Sequence, residues 1–133
     1  MDRLEIVKEI KKLQEEFGIS VHDVVVSYEA AAVMHGIRHS VKHVELDVHD
    51  DDFVIIQEKH STNRGNDYVG RFATIGGVDF HVGEHHEYEM IDDVWVVTRE
   101  TLLRQYRKLF NSPNRPDDKR KKDMHVIKTL NMR

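Results

Sequence analysis

The chain has 133 residues, 39% of them hydrophobic and 33% charged, and its formal net charge at pH 7 is −4. This composition predicts one globular domain with a single core, and it argues against a disordered chain or a large sequence-independent nucleic-acid surface. No apolar run approaches the roughly 20 residues that span a bilayer, so no membrane association is expected. The sequence has no cysteine, which excludes disulfides and thiolate metal ligands and is typical of a cytoplasmic protein.

The first elements are predicted from their apolar periodicity. Residues 2–17 repeat apolar side chains at helical spacing without the apolar centre of a signal peptide, and Gly18 follows as a C-cap. The β-branched run 24–26 predicts a buried strand, and the small residues of 29–35 predict a short helix. Residues 41–48 alternate apolar and polar side chains, which predicts a strand with one apolar face and one acidic face.

The middle of the chain predicts a helix and then a hairpin. Three aspartates at 50–52 favour a helix over 53–60, because acidic side chains are stabilising at a helix N-terminus. Two strands, 68–75 and 78–82, flank the dipeptide Gly76-Gly77. Two glycines between apolar runs are a strong signal for a two-residue hairpin turn.

The remaining segments complete the element order. Two polar stretches, 61–67 and 84–89, predict loops, and 94–97 predicts a short strand. Residues 98–110 predict a helix with threonine as its N-cap, and 116–131 predict a final helix that begins at proline.

This order predicts a mixed α/β (α+β) fold, with a single mixed β-sheet of about five strands flanked by helices. One domain is expected over 1–133, divided into an N-terminal helix (1–18), a sheet core (21–110) and a C-terminal helix (116–131).

The strand 41–48 carries the most distinctive chemistry. His43, Glu45 and Asp47 stand on alternate residues, so their side chains share one face of the strand. Because such a face crowds like charges together, we expect a metal ion or a basic side chain among them. The alternative is a polar sheet face that is solvated or paired with Arg38, Arg71 or Lys42.

The order of these motifs resembles the minimal nucleotidyltransferase fold of the DNA polymerase β-like superfamily, particularly its small abortive-infection-type members. The likeness covers about residues 20–130. The matching segments are Ser27-Tyr28 at the turn, Gly36-Ile37-Arg38-His39-Ser40 after the short helix, His43-Val44-Glu45 on the Asp-x-Asp strand, Val78-Asp79-Phe80 on the strand of the third carboxylate, and Lys122-Asp123 on the closing helix. A shifted register would make Glu45 and Asp47 the Asp-x-Asp pair.

The resemblance implies metal-dependent nucleotidyl or phosphoryl transfer or hydrolysis, with Glu45, Asp47 and Asp79 as the catalytic residues. The same three carboxylates, with His43 and with His81 two residues beyond Asp79, would bind a divalent metal, Mg²⁺ or Mn²⁺. Ser27, Arg38 and Lys122 would hold the phosphates of a nucleotide or nucleic-acid substrate.

Two other functions stay open from the sequence. Where the family has glycines at the turn, this chain has Tyr28 and Glu29, which obstruct a close approach of backbone to phosphate. This favours a catalytically inactive binding protein, such as an antitoxin, a regulator or a phage-encoded inhibitor, that acts through protein or nucleic-acid contacts. A protein partner or a homo-oligomer is expected in that case.

The third function is a histidine-rich metal hydrolase. It requires convergence of at least two of His43, His81, His85 and His86.

Overall fold

A computed structural model describes residues 1–60, 63–66, 71–83 and 87–132. Parts of the predicted loops 61–67 and 84–89 and the first residues of the predicted strand 68–75 lie outside these ranges. The helices are α1 (Arg3–Phe17), α2 (Tyr28–Met34), α3 (Asp50–Lys59), α4 (Arg99–Phe110) and α5 (Asp117–Asn131). The strands are β1 (Val25–Val26), β2 (Val44–Val48), β3 (Asn63–Asn66), β4 (Arg71–Ile75), β5 (Val78–Val82), β6 (Tyr88–Ile91) and β7 (Val94–Val97).

The strands form one mixed sheet in the order β3-β4-β5-β2-β1-β7-β6. The predicted mixed fold is confirmed, but the described sheet has seven strands where about five were expected. The additional strands, β3 and β6, form the two edges of the sheet. β3 falls inside the predicted loop 61–67, and β6 begins in the predicted loop 84–89 and continues to Ile91. Each is held by backbone pairing with one neighbour and has no clear apolar alternation, so a period-2 pattern could not reveal it.

Capping residues define the ends of α1 and the start of α4, whereas α3 begins at Asp50, three residues before its predicted start. Asp2 and Glu5 form a reciprocal capping box at the start of α1, and Gly18 ends that helix in the left-handed conformation. Thr98 caps α4 by accepting a hydrogen bond from the Thr101 N–H. Among the described residues, no helix is long and apolar enough to cross a membrane.

One face of the sheet is apolar and completely covered. Directly paired residues cross five strands on this face, and none of them exposes any surface: Val96, Val26, Leu46, Phe80 and Ala73. Since paired residues of neighbouring strands point to the same side, the residues next to them in sequence point to the opposite face. The polar residues of β2 and β5 therefore share that second face.

Alanine substitutions at the two glycines of the β4–β5 hairpin test the geometry of its turn. Gly76 has a φ of 58°, whereas Gly77 has no positive φ. We expect Gly76→Ala to lower the free energy of unfolding by about 1–2 kcal/mol, because a side chain is strained at positive φ. Gly77→Ala is the control, since its new Cβ would meet only the Met1 Cε at an ordinary 3.5 Å. Urea denaturation of both variants measures the difference, and equal losses would contradict the assigned turn geometry.

Candidate functional site

Four of the predicted site residues share one face of the sheet, called here the carboxylate face. Strand β2 runs parallel to β5 in a register that pairs Glu45 with Asp79 and Asp47 with His81. Glu45 and Asp79 are half-buried, whereas Asp47 and His81 are buried. The structure thus places the Glu45 and Asp79 carboxylates, which are far apart in sequence, side by side on neighbouring strands. Asp47 lies two residues further along β2 on the same face.

The surroundings of these side chains differ. The Thr74 hydroxyl donates a hydrogen bond of 2.7 Å to the Asp79 carboxylate. The backbone carbonyl of Glu45 accepts a 3.0 Å hydrogen bond from the Ser27 N–H, so the start of α2 lies beside this level of the sheet. His43 precedes β2 and is exposed.

The turn before α2 keeps an unusual backbone conformation. Tyr28 is buried and has a φ of 52°, a left-handed value that favours glycine. Its N–H donates to the Gln105 side chain at 2.9 Å, and its ring centroid lies 6.5 Å from that of His81. A bulky side chain therefore packs where the family resemblance expects a glycine.

A network of ion pairs follows this turn. The Glu29 carboxylate lies 3.3 Å from Arg38 and 3.6 Å from Arg115. Arg115 is buried and donates two hydrogen bonds to the buried Asp123 carboxylate, at 3.0 and 2.9 Å. These four side chains thus form one network of ion pairs next to the carboxylate face.

The pKa values in this network reflect its burial and its charges. Burial by itself lowers the pKa of Arg115, but the hydrogen bonds and charge of Asp123, with the charges of Glu29 and Glu45, raise it above the ordinary value. Burial, together with the charge of Glu29, raises the pKa of Tyr106 well above its ordinary value. Arg38 acts in the opposite direction and lowers the pKa of Tyr106. The Tyr106 hydroxyl nevertheless forms no hydrogen bond with Arg38 in the structure. Tyr106 therefore stays neutral.

The predicted metal ligands are not arranged as a metal ion needs. Throughout the described ranges, no three His, Asp or Glu side chains are placed to hold a metal ion. Asp79 is engaged by Thr74, and Glu45 lies within the electrostatic influence of Arg115. As arranged, these side chains form no metal site, and metal binding stays a prediction.

A second feature, called here the basic cleft, lies between the segment after α2 and helix α5. Its volume is about 440 Å³. Its lining includes Arg38, His39, Lys121, Lys122 and His125 and no acidic residue among those described. Arg38 and Lys122 were predicted from the sequence as phosphate ligands, and the fold places both in this one cleft. Such a cleft attracts anions.

Ser27, the third predicted phosphate ligand, does not line the basic cleft. Its side chain is buried, and its hydroxyl makes no hydrogen bond with any described residue. His85 and His86 lie outside the described residues. Sequence reasoning missed Glu29, Arg115 and Asp123 as a connected set, because no spacing rule links an arginine in a turn to residues on two separate helices.

The comparisons with known proteins concern the fold. The chain is similar to the crystal structure of a provisionally assigned nucleotidyltransferase from Thermotoga maritima, with a TM-score of 0.56 and 14% sequence identity. The likeness covers 100% of this chain and 97% of that chain. No protein-family model matches the chain, and no curated protein matches it either. The nucleotidyltransferase-like fold expected from the resemblance is thus confirmed, and at this identity the likeness reaches no further than the fold.

The buried ion pair generates a stability prediction. We expect Asp123→Ala to lower the free energy of unfolding by about 3–5 kcal/mol, because it leaves the buried Arg115 charge without its main partner. Asp118→Ala on the same helix is the control, since that side chain is exposed and its loss should cost about 0.5 kcal/mol. Chemical denaturation measures both, and similar small losses would show that the pair contributes little.

The neutral Tyr106 generates a pH prediction. Because its pKa is raised on folding, the folded state keeps a proton that the unfolded state releases above about pH 10. The stability from this group is fully present below that pH and should fall by up to about 1.4 kcal/mol per pH unit above it. Tyr106→Phe should reduce this alkaline loss.

At pH 7 the same substitution should be nearly neutral, since the hydroxyl makes no hydrogen bond to any residue that the structure describes. Tyr88→Phe is the matched control, because Tyr88 is exposed and should leave the alkaline profile unchanged. Thermal unfolding between pH 7 and 11 measures both variants. A loss above about 1.5 kcal/mol for Tyr106→Phe at pH 7 would instead indicate a hydrogen bond to Arg38.

Proposed function

We propose that this chain is a nucleotidyltransferase-like protein that binds a phosphate-bearing ligand, a nucleotide or a nucleic acid, in the basic cleft. The observation that carries this proposal is the meeting of Arg38 and Lys122, which are far apart in sequence, in a cleft whose described lining has no carboxylate. Cationic side chains that converge from two elements are a recurrent way to bind phosphate.

The size and rigidity of the cleft support this ligand class. A volume of about 440 Å³ lies within the usual range for small-molecule sites. The ion pair with Glu29 holds Arg38 in position before any ligand arrives, which reduces the entropy lost on binding. Lys121 and Lys122 are exposed and flexible, so they can follow phosphates of different geometry.

Binding is favoured over catalysis by the turn before α2. Tyr28 fills this turn, and Glu29 adds a negative charge that two arginines already engage. A triphosphate at this position would have to displace the Glu29 carboxylate and would meet its charge. The described lining of the basic cleft has no carboxylate, and Lys121 and Lys122 add positive charge there beside the Arg38–Glu29 ion pair.

Metal-dependent nucleotidyl or phosphoryl transfer through Glu45, Asp47 and Asp79 is the second candidate function. The pairing of Glu45 with Asp79 across β2 and β5 favours it, because it brings two hard oxygen ligands to one level of the sheet. Mg²⁺ or Mn²⁺ would be the cofactor, and a nucleotide or nucleic acid the substrate.

Calorimetric titration tests the first candidate. ATP and inorganic pyrophosphate are titrated into the protein in the presence of EDTA, and we expect saturable binding. Lys122→Gln should weaken it about tenfold, because a charge-assisted hydrogen bond contributes about 1.5–3 kcal/mol. Lys128→Gln is the matched control, an exposed lysine on the same helix that does not line the cleft.

The same titrations separate the two candidates. Binding that appears only with Mn²⁺ or Mg²⁺, and disappears in Glu45→Gln and Asp79→Asn, would replace the binding proposal with metal-dependent chemistry. Binding that Lys122→Gln and Lys128→Gln weaken equally would show general charge attraction and no defined cleft. An absence of binding for both probes at millimolar concentration would refute the basic cleft as a phosphate site.

A further inference from the structure

A smaller cleft, called here the aromatic cleft, opens where the carboxylate face reaches β7 and β6. Its volume is about 140 Å³. Val25 and Trp95 are paired across β1 and β7 and line it side by side. Tyr88 from β6 completes the aromatic wall, with its ring centroid 4.9 Å from that of Trp95 and the two planes 77° apart. The cleft therefore has an apolar base and two aromatic rings at nearly a right angle.

The polar lining of the aromatic cleft is acidic. Asp47 contributes its buried carboxylate, and Asp23 contributes an exposed one. His22 and His49 are the other titratable side chains in the described lining, which includes no lysine or arginine. Trp95 and Val25 lie in the same cross-strand row as Asp47, so the aromatic surface and one carboxylate share one face of the sheet.

We propose that the aromatic cleft binds an alkylammonium group, either the side chain of a lysine or a free aliphatic diamine. The faces of aromatic rings attract cations through the ring quadrupole, most strongly for tryptophan. Two carboxylates add charge attraction, and the apolar base accommodates the methylene chain of such a ligand. A volume of about 140 Å³ suits one extended side chain and is below the usual range for a whole nucleotide.

This site is independent of the basic cleft. The two clefts share no lining residue, and their charged lining residues have opposite sign. A phosphate would be repelled by Asp23 and Asp47 in the aromatic cleft, just as an ammonium group would be repelled by Lys121 and Lys122 in the basic cleft. If experiments show that one cleft does not bind its ligand, the proposal for the other cleft is therefore unaffected.

The single tryptophan of the chain lies in this cleft, so its fluorescence reports occupancy directly. The probes are N-acetyl-lysine methylamide and the neutral analogue N-acetyl-norleucine methylamide, which has a similar chain without the charge. We expect a saturable change of Trp95 fluorescence with the lysine probe and none with the norleucine probe. Asp23→Asn should weaken lysine binding about tenfold, and Asp118→Asn, distant in sequence and equally exposed, should not change it.

The outcomes are distinct. Equal responses to the lysine and norleucine probes would show an apolar pocket and overturn the proposal. A saturable response to the nucleoside cytidine, with none to the lysine probe, would also overturn it. No response to the lysine probe or to 1,4-diaminobutane at 50 mM would also overturn it. A lower dissociation constant for 1,4-diaminobutane would identify the free diamine as the ligand, and a lower one for the lysine probe would identify a side chain. Because Asp23 is exposed, Asp23→Asn is not expected to disturb the core, so it tests the site in a folded protein.

Discussion

The register of β2 between β1 and β5 is the constraint on which the rest of the structure depends. It places Leu46 in the covered apolar row and turns Glu45 and Asp47 to the other face. A slip by one residue would exchange the two sets and bury both carboxylates among apolar side chains. An unpaired buried carboxylate costs several kcal/mol, which is a large part of the stability of a small domain. The apolar row therefore fixes the position of the carboxylate face.

The ion pairs around Arg115 show how the carboxylate face differs from an open nucleotide site. Glu29 lies in the first turn of α2, whose preceding residue Ser27 bonds to the Glu45 backbone, and its carboxylate is paired with both Arg38 and Arg115. Asp123 binds Arg115 through both carboxylate oxygens, so this buried cation is well satisfied. Arg115 also interacts electrostatically with Glu45 on the acidic strand, which contributes to its raised pKa. This arrangement stabilises a packed turn in place of the open one that a triphosphate requires.

How far the sequence predicts this structure depends on the element. The strands 78–82 and 94–97 were predicted to the residue, because the first alternates apolar and polar residues after the Gly76-Gly77 turn and the second is a continuous apolar run. The edge strands were missed, since their backbone is paired but their side chains follow no period. At the site, the shared face of Glu45 and Asp47 follows from alternation alone. Their pairing with Asp79 and His81 depends on strand order, which the resemblance supplied and local pattern did not.

The separation of charge along the chain explains how a protein of net charge −4 can offer an anion site. Acidic residues concentrate near the end of β2 and the start of α3, while basic residues concentrate on α5. At physiological ionic strength the Debye length is about 8 Å, so exposed charges farther away are largely screened. A phosphate in the proposed basic cleft would therefore interact mainly with the cations that line it, Arg38, Lys121 and Lys122. The same screening would let the proposed cation site of the aromatic cleft act independently, so one small domain would present two surfaces of opposite preference.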